Sequence, residues 1–261
     1  MYRSFFIFTN MTLPFFYIAD YNATQNTIEL NEETSKHVVQ VLRMKNGEQL
    51  NLTDGKGNLL TCEIIDDHKK HCVVQINSKE QIPNSGHKVS IAISLLKNSN
   101  RFEWFLEKAT EIGVAEIIPL ICERTENEKF RYDRMQGICI SAMLQSQQVW
   151  LPVLHEPLSF QKVVNDVNTN SKLIAHCESG VKTQLTNKLI NQSTCILIGP
   201  EGDFTPQEIE MALQLSVAVR NAMLDAIETT IGTSAVLKIR TGAAPASVAT
   251  APDLTLSSSA A

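Results

Sequence analysis

The segment that most constrains this chain is residues 195–208, where a short apolar run stops in a glycine-bounded turn and a helix signal follows at once. Cys195, Ile196, Leu197 and Ile198 are too few for a helix and the right length for a strand buried on both faces. The run ends in Gly199, Pro200, Glu201 and Gly202. Its two glycines allow backbone angles and close approaches that a side chain would forbid, so a ligand can lie against the main chain. Thr205 is a good N-cap, Pro206 suits the first helical position, and Glu208 is spaced to reach back as the partner in a capping box. In open α/β sheets ligands collect at the carboxyl ends of strands, and this turn is such an end.

A chain of 261 residues with 43% apolar side chains holds one large domain or two modest ones, each with a packed core. Its net charge of -5 argues against a general nucleic-acid coat but leaves room for a local basic face. The six cysteines make no CxxC pair and lie mostly among apolar neighbours, as free thiols in a reducing cytoplasm would. Phe5, Phe6, Ile7 and Phe8 are too short a run to span a bilayer, and no secretory cleavage pattern follows. Residues 1–12 are expected to be an extension, and no membrane association is expected.

Residues 13–82 look mainly β, with strand-like runs at 15–18, 49–53, 59–65 and 72–76. Asp54, Gly55, Lys56, Gly57 and Asn58 carry a hairpin signal between two of them. One helix interrupts the strands: Asn31 can cap it, Glu32 and Glu33 favour its positive end, and Val38, Val41 and Leu42 recur at helical spacing. After the break at Pro83, Asn84, Ser85 and Gly86 the rhythm changes. A strand at 89–96, a helix at 101–112 with Phe102, Phe105, Leu106 and Ala109 inward, a stop at Gly113 and a strand at 115–121 make a βαβ unit. Further strands at 173–176 and 195–198 and helices near 134–148 and 206–215 imply a parallel sheet with helices on both faces. From Ala243 the chain is almost all Ala, Ser, Thr and Pro, a low-complexity tail with little to bury.

Several chemistries lack their signature. The six histidines form no HExxH or Cys/His set, so no metal is expected. Gly55, Lys56 and Gly57 lack the spacing of a phosphate loop, and no G-x-S-x-G elbow is present. Lys97, Arg101, Lys108, Arg124, Lys129, Arg131 and Arg134 cluster in and after the βαβ unit, interspersed with glutamates. That pattern fits either a solvated mixed-charge face or, with His37, Arg43 and Lys45 on the first domain, two patches gripping a phosphate backbone.

The order and spacing of several short motifs are more specific than any one of them. Leu13, Pro14, Phe15 and Phe16 are followed by Val41, Leu42 and Arg43, then Asp54 and Gly55, then Lys108 to Val114 leading to Ile118 and Pro119. Gln145 and Ser146 before Pro152, and Gly199 to Gly202, complete the series. In this arrangement the chain resembles the RsmE family, SPOUT-class methyltransferases that methylate N3 of a uridine in 16S ribosomal RNA of the small subunit. The resemblance implies a PUA-like RNA-binding β-barrel over 13–82 and a SPOUT domain over 83–242 with a trefoil-knotted parallel sheet. It also implies S-adenosylmethionine as methyl donor and a homodimer with the active site near the subunit interface.

Carried over residue by residue, the donor-binding positions are Leu197, Ile198, Gly199, Pro200, Glu201 and Gly202 with Met223 and Leu224. Glu201 and Glu228 are the carboxylates placed near the reacting atoms, and His37, Arg43, Lys97, Arg101, Lys108 and Arg124 are the expected RNA contacts. Asp203 stands where the family usually has glycine, and Gln148 where it usually has arginine. The family's closing Arg-Thr-Glu-Thr-Ala segment has two competitors here, 226–230 and 240–244, and spacing from Gly199 favours the first, hence Glu228. Two other readings stay open: a nucleotide-using α/β transferase of another class, and an RNA-binding ribosome assembly factor with a degenerate donor pocket.

Overall fold

The computed structural model describes residues 13–84, 88–167, 169, 171–178 and 193–213. The extension at 1–12, Ser85 and Gly86 of the break, Met223, Leu224, Glu228, the 240–244 competitor and the tail from Ala243 lie outside the described residues. The chain divides into two compact units, Met1–Ile209, which holds both sheets, and Glu210–Ala261, of which 210–213 are described and helical.

The first sheet has five strands in the order β1-β3-β4-β5-β2, from β1 (Phe15–Tyr17), β2 (Thr27–Glu29), β3 (Gln49–Thr53), β4 (Asn58–Asp66) and β5 (Val73–Gln81). Alternation aims Leu50, Leu52, Leu60, Cys62, Ile64 and Val74 into one core, all with exposure of 1% or less. Between β2 and β3 the Asn31 side chain caps α1 (Glu32–Lys36) by accepting the Thr34 N–H at 2.8 Å. The helix does not continue regularly as its spacing predicts. It widens into a π-helical turn, His37–Val41, which keeps Val38 inside but turns Val41 and Leu42 to solvent at 67% and 44% exposure. Buried Ser35 ties this helix to the sheet, donating to the Leu30 carbonyl and accepting the Cys72 N–H, each at 3.0 Å.

The second sheet is parallel, in the order β10-β11-β6-β7-β8, with β9 (Leu158–Ser159) beside β7. Its strands are β6 (Val89–Ser94), β7 (Glu116–Ile121), β8 (Val153–Leu154), β10 (Ser171–Ala175) and β11 (Thr194–Ile198). One face carries Ile91, Ile93 and Ile117 against α2 (Ser99–Glu111) and α3 (Tyr132–Gln145), where Phe102, Leu106, Ala109, Met135 and Cys139 are buried. The alternate residues Ala92, Ile118, Leu120, Cys195 and Leu197 are buried too, so the central strands are covered on both sides. On α4 (Phe160–Asp166) the Phe160 ring meets Phe204 at 5.2 Å between centroids. Strands β2, β8 and β9 are two or three residues long and α4 only seven, too short for periodicity to announce them.

The predicted hairpin at 54–58 forms between β3 and β4, and its glycines are left-handed, with φ of +71° at Gly55 and +92° at Gly57. Its tip pairs with residues beyond α3. Gly57 N–H donates to the Val149 carbonyl at 2.8 Å, Leu151 N–H donates to the Gly55 carbonyl at 2.9 Å, and the Trp150 indole donates to Ile82 at 3.1 Å. Gln148 reaches the Glu111 carbonyl at 2.5 Å and so closes the carboxyl end of α2.

Candidate functional site: a turn at the carboxyl ends of three parallel strands

β11 lies between β10 and β6, with Ala175 opposite Ile198 on one side and Ile93 opposite it on the other. The segments leaving β10, β11, β6 and β7 therefore emerge along one edge of the sheet. The turn after β11 is closed by Asp203 N–H donating to the Pro200 carbonyl at 2.9 Å. Beyond it the predicted capping box forms: Thr205 N–H donates to Glu208 Oε2 at 2.9 Å, and Glu208 N–H to Thr205 Oγ1 at 3.3 Å. The other oxygen of this buried carboxylate, Oε1, accepts the Glu123 N–H at 3.0 Å, stitching the turn to the loop after β7.

The left-handed residue of the turn is Asp203, with φ of +63°; neither Gly199 nor Gly202 has positive φ, so the special backbone angle expected of them is not used, while the close approach is made at Gly199. Gly199 is needed for packing, because a Cβ there would sit 3.1 Å from both the Phe204 ring and its backbone nitrogen. A Cβ on Gly202 would make an ordinary 3.5 Å contact with the Arg124 side chain. Asp203 tolerates the αL region because a short polar side chain can bond locally. Its Oδ1 takes the Phe204 N–H at 2.8 Å and its Oδ2 the Cys177 N–H at 2.7 Å, pinning the loop after β10. Burial works against ionisation of this carboxyl, but those backbone donors outweigh it and hold the group below its ordinary range.

Arg124 lies on the opposite flank, its Nη1 donating to the Gly202 carbonyl at 2.6 Å and, at 3.5 Å, to the Phe204 carbonyl. Lys97, after β6, pairs with Glu126 at 2.6 Å, and this bond, with the nearby Glu201 charge adding to it, raises the lysine's affinity for its proton. Glu201 itself is exposed at the tip of the turn. Cys122, beside this region, is pushed up to about 12 by burial and by the Glu208 charge, so its thiol is inert.

The structure thus brings Lys97, Arg124, Glu201 and Gly202 to one edge, next to Leu197, Ile198, Gly199 and Pro200. Lys108 is held by Glu107 and Glu111 at 2.8 and 2.9 Å, and Arg101 makes no ion pair among the described residues. His37 sits on the first domain, edge-on to Phe16 at 5.7 Å, and Arg43 follows the π turn with φ of +59°. Sequence reasoning missed His176, whose Nδ1 is buried without a hydrogen-bond partner among the described residues and whose ring acts electrostatically on Asp203. Its signal was its place directly after β10, the neighbour of β11. Among the described residues no group of His, Cys, Asp and Glu could hold a metal ion, and no helix is long and apolar enough to cross a membrane.

What the turn offers chemically is backbone. The N–H groups of Asp203, Phe204 and Thr205 are all taken, whereas those of Glu201 and Gly202 have no partner among the described residues. A rigid strand-end turn with two bare donors, carried by a parallel sheet and preceded by a small β domain, is where an α/β fold of this kind takes a ligand. Residues 83–221 match the family model for an RNA methyltransferase domain, and 30–77 the model for an RNA methyltransferase PUA domain. The chain belongs to this RNA methyltransferase family, that of RsmE. It is 27% identical over 199 residues to ribosomal RNA small subunit methyltransferase E of Rickettsia conorii, covering 75% of this chain and 81% of that one. It is similar to the crystal structure of a probable rRNA-methyltransferase from Porphyromonas gingivalis (35% identity, TM-score 0.70, 77% of this chain and 86% of that one). Ribosomal RNA small subunit methyltransferase E from Neisseria gonorrhoeae, bound to S-adenosyl methionine, matches at 26% identity and TM-score 0.68, over 77% and 85% of the two chains.

Proposed function

We propose that this protein transfers a methyl group from S-adenosylmethionine to N3 of a uridine in 16S ribosomal RNA of the small subunit, as a cytoplasmic homodimer. The observation that carries the reading is the pair of bare N–H groups at Glu201 and Gly202, inside a turn whose following donors are all bonded. A nucleoside presents acceptors to such groups, and residues 197–202 would line its site. When bound, the donor supplies an electrophilic methyl on sulfonium sulfur. The chain's task is then to hold the acceptor base in line and keep water out.

N3 of uracil is buried in a paired base and carries a proton. The base must be presented unpaired, and a carboxylate must orient it or take the proton. Glu201 is the carboxylate assigned that role in this reading; its exposure at the tip, with Lys97 close enough to feel its charge, supports it. The division of labour follows the two sheets: residues 13–82 hold RNA through His37 and Arg43, and residues 83–242 carry the trefoil-knotted catalytic domain with Lys97, Arg101 and Lys108 toward the RNA.

The test is incubation with radiolabelled donor and small subunits lacking the modification, followed by mapping of the labelled base. Label at N3 of one uridine is expected, and Glu201→Gln should slow transfer by about 10²-fold or more, the lower end of general-base effects, with donor affinity kept. RNA binding without any transfer would instead indicate an assembly factor with a degenerate pocket.

A further inference from the structure

The sequence pattern groups Arg124 with the RNA contacts, but its guanidinium is turned to the main chain of residues 202–204. The peptide unit between Gly202 and Asp203 is gripped at both ends. Its carbonyl accepts Arg124 Nη1 at 2.6 Å and its N–H donates to Pro200 at 2.9 Å. The next peptide but one is gripped in the same way, with the Phe204 carbonyl 3.5 Å from Nη1 and the Thr205 N–H on Glu208. Just before these fixed units stand the bare N–H groups of Glu201 and Gly202: the Glu201 N–H shares a peptide with the Pro200 carbonyl, which is held by the Asp203 N–H of the peptide that Arg124 grips, and the Gly202 N–H lies on the peptide between the two. The Arg124 chain lies against the missing side chain of Gly202, with Cδ 3.5 Å from where a Cβ would be.

We infer that Arg124 is a positioning residue for methyl-donor binding: it locks the Gly202 carbonyl so that the Glu201 and Gly202 N–H groups face the donor, and it does not contact RNA. The inference rests on the proposed placement of the donor at this turn. A purely structural role is already filled beside it. The buried Glu208 carboxylate joins the loops at 123 and 205, whereas Arg124 is exposed and grips only the tip. A hydrogen bond from a charged donor to a carbonyl is among the stronger kinds, and here one guanidinium nitrogen, Nη1, reaches both carbonyls.

The experiment compares the parent with Arg124→Ala and Arg124→Lys in three measurements: calorimetric affinity for S-adenosylmethionine, thermal midpoint, and RNA affinity across a salt series. Arg124→Ala should lose donor affinity about tenfold or more and raise the KM for donor more than it lowers kcat, with partial recovery in Arg124→Lys. The midpoint should stay close to the parent's and the RNA salt slope should not change. Parental donor affinity in Arg124→Ala overturns the inference. So does a salt slope reduced by about 0.7, the value of one lost single-strand phosphate contact, with donor binding intact. If Arg124→Ala does not fold, Arg124→Met, which keeps a chain against Gly202 and removes the donor, decides: parental donor affinity there overturns the inference. A parent that binds RNA but no donor would sink the proposed function itself, and the inference with it.

Discussion

At the scale of single residues, the turn shows how one side chain takes over work expected of glycine. Asp203 adopts the left-handed backbone and its two carboxylate oxygens hold Phe204 and Cys177. Because its folded pKa lies below the ordinary value of 3.8, it stabilises the fold fully above that value and loses the contribution as pH falls through the folded pKa. Asn at this position tolerates the same backbone and keeps one acceptor but carries no charge. Asp203→Asn is therefore expected to lower the thermal midpoint at neutral pH, with the gap to the parent constant there, shrinking below about pH 4, the ordinary carboxyl range, and closing in stronger acid. Thermal scans from pH 2 to 7 check this. A gap independent of pH would mean the carboxylate charge is not what holds the 176–178 loop.

At the scale of elements, the helix after the turn is anchored by one buried carboxylate that accepts from Thr205 N–H, Thr205 Oγ1 and Glu123 N–H. Thr205→Ala removes a cap worth about 1 kcal/mol, and Glu208→Ala strands buried N–H groups at about 1–3 kcal/mol each. In denaturant titrations Glu208→Ala should cost more than Thr205→Ala, and the double variant should cost less than their sum because both act through one box. Strict additivity would show that the box does not act as a unit.

This element was legible before any coordinates, since Thr205, Pro206 and Glu208 state a helix start locally. So were β3, β6, β7 and β11, whose apolar runs are long enough to carry a period. The π turn was not legible: Val38, Val41 and Leu42 fit a regular helix, and only packing against the first sheet's core decides that Val38 alone of the three goes inside. Of the site, the turn's place at a strand end followed from its sequence. The hold of Arg124 on Gly202 did not, because the two are 78 residues apart and meet only through the order of β7, β6 and β11. Basic residues look alike in sequence whether they face a phosphate or a carbonyl.

At the scale of the whole molecule, a chain of net charge -5 must bind a polyanion through local patches held in a fixed relation. The relation is set where the β3–β4 hairpin meets residues 149–151. Gly57 has room for no side chain, since a Cβ would run into the Trp150 indole, and its φ of +92° is itself costly for any other residue. Gly57→Val should therefore push the hairpin off Trp150 and break the Gly57–Val149 and Leu151–Gly55 bonds. Trp150→Ala loosens the same contact from the other side without straining the hairpin. If His37 and Arg43 on one part and Lys97 and Arg101 on the other grip the same RNA, rigid linkage gives the second patch a high effective concentration, and freeing the parts forfeits it. Both variants should then keep donor affinity while losing RNA affinity by about tenfold or more, the low end of what such linkage contributes. In scanning calorimetry the parent's single transition should separate into two. A variant that unfolds in two steps yet binds RNA as tightly as the parent would show that one patch alone carries the RNA.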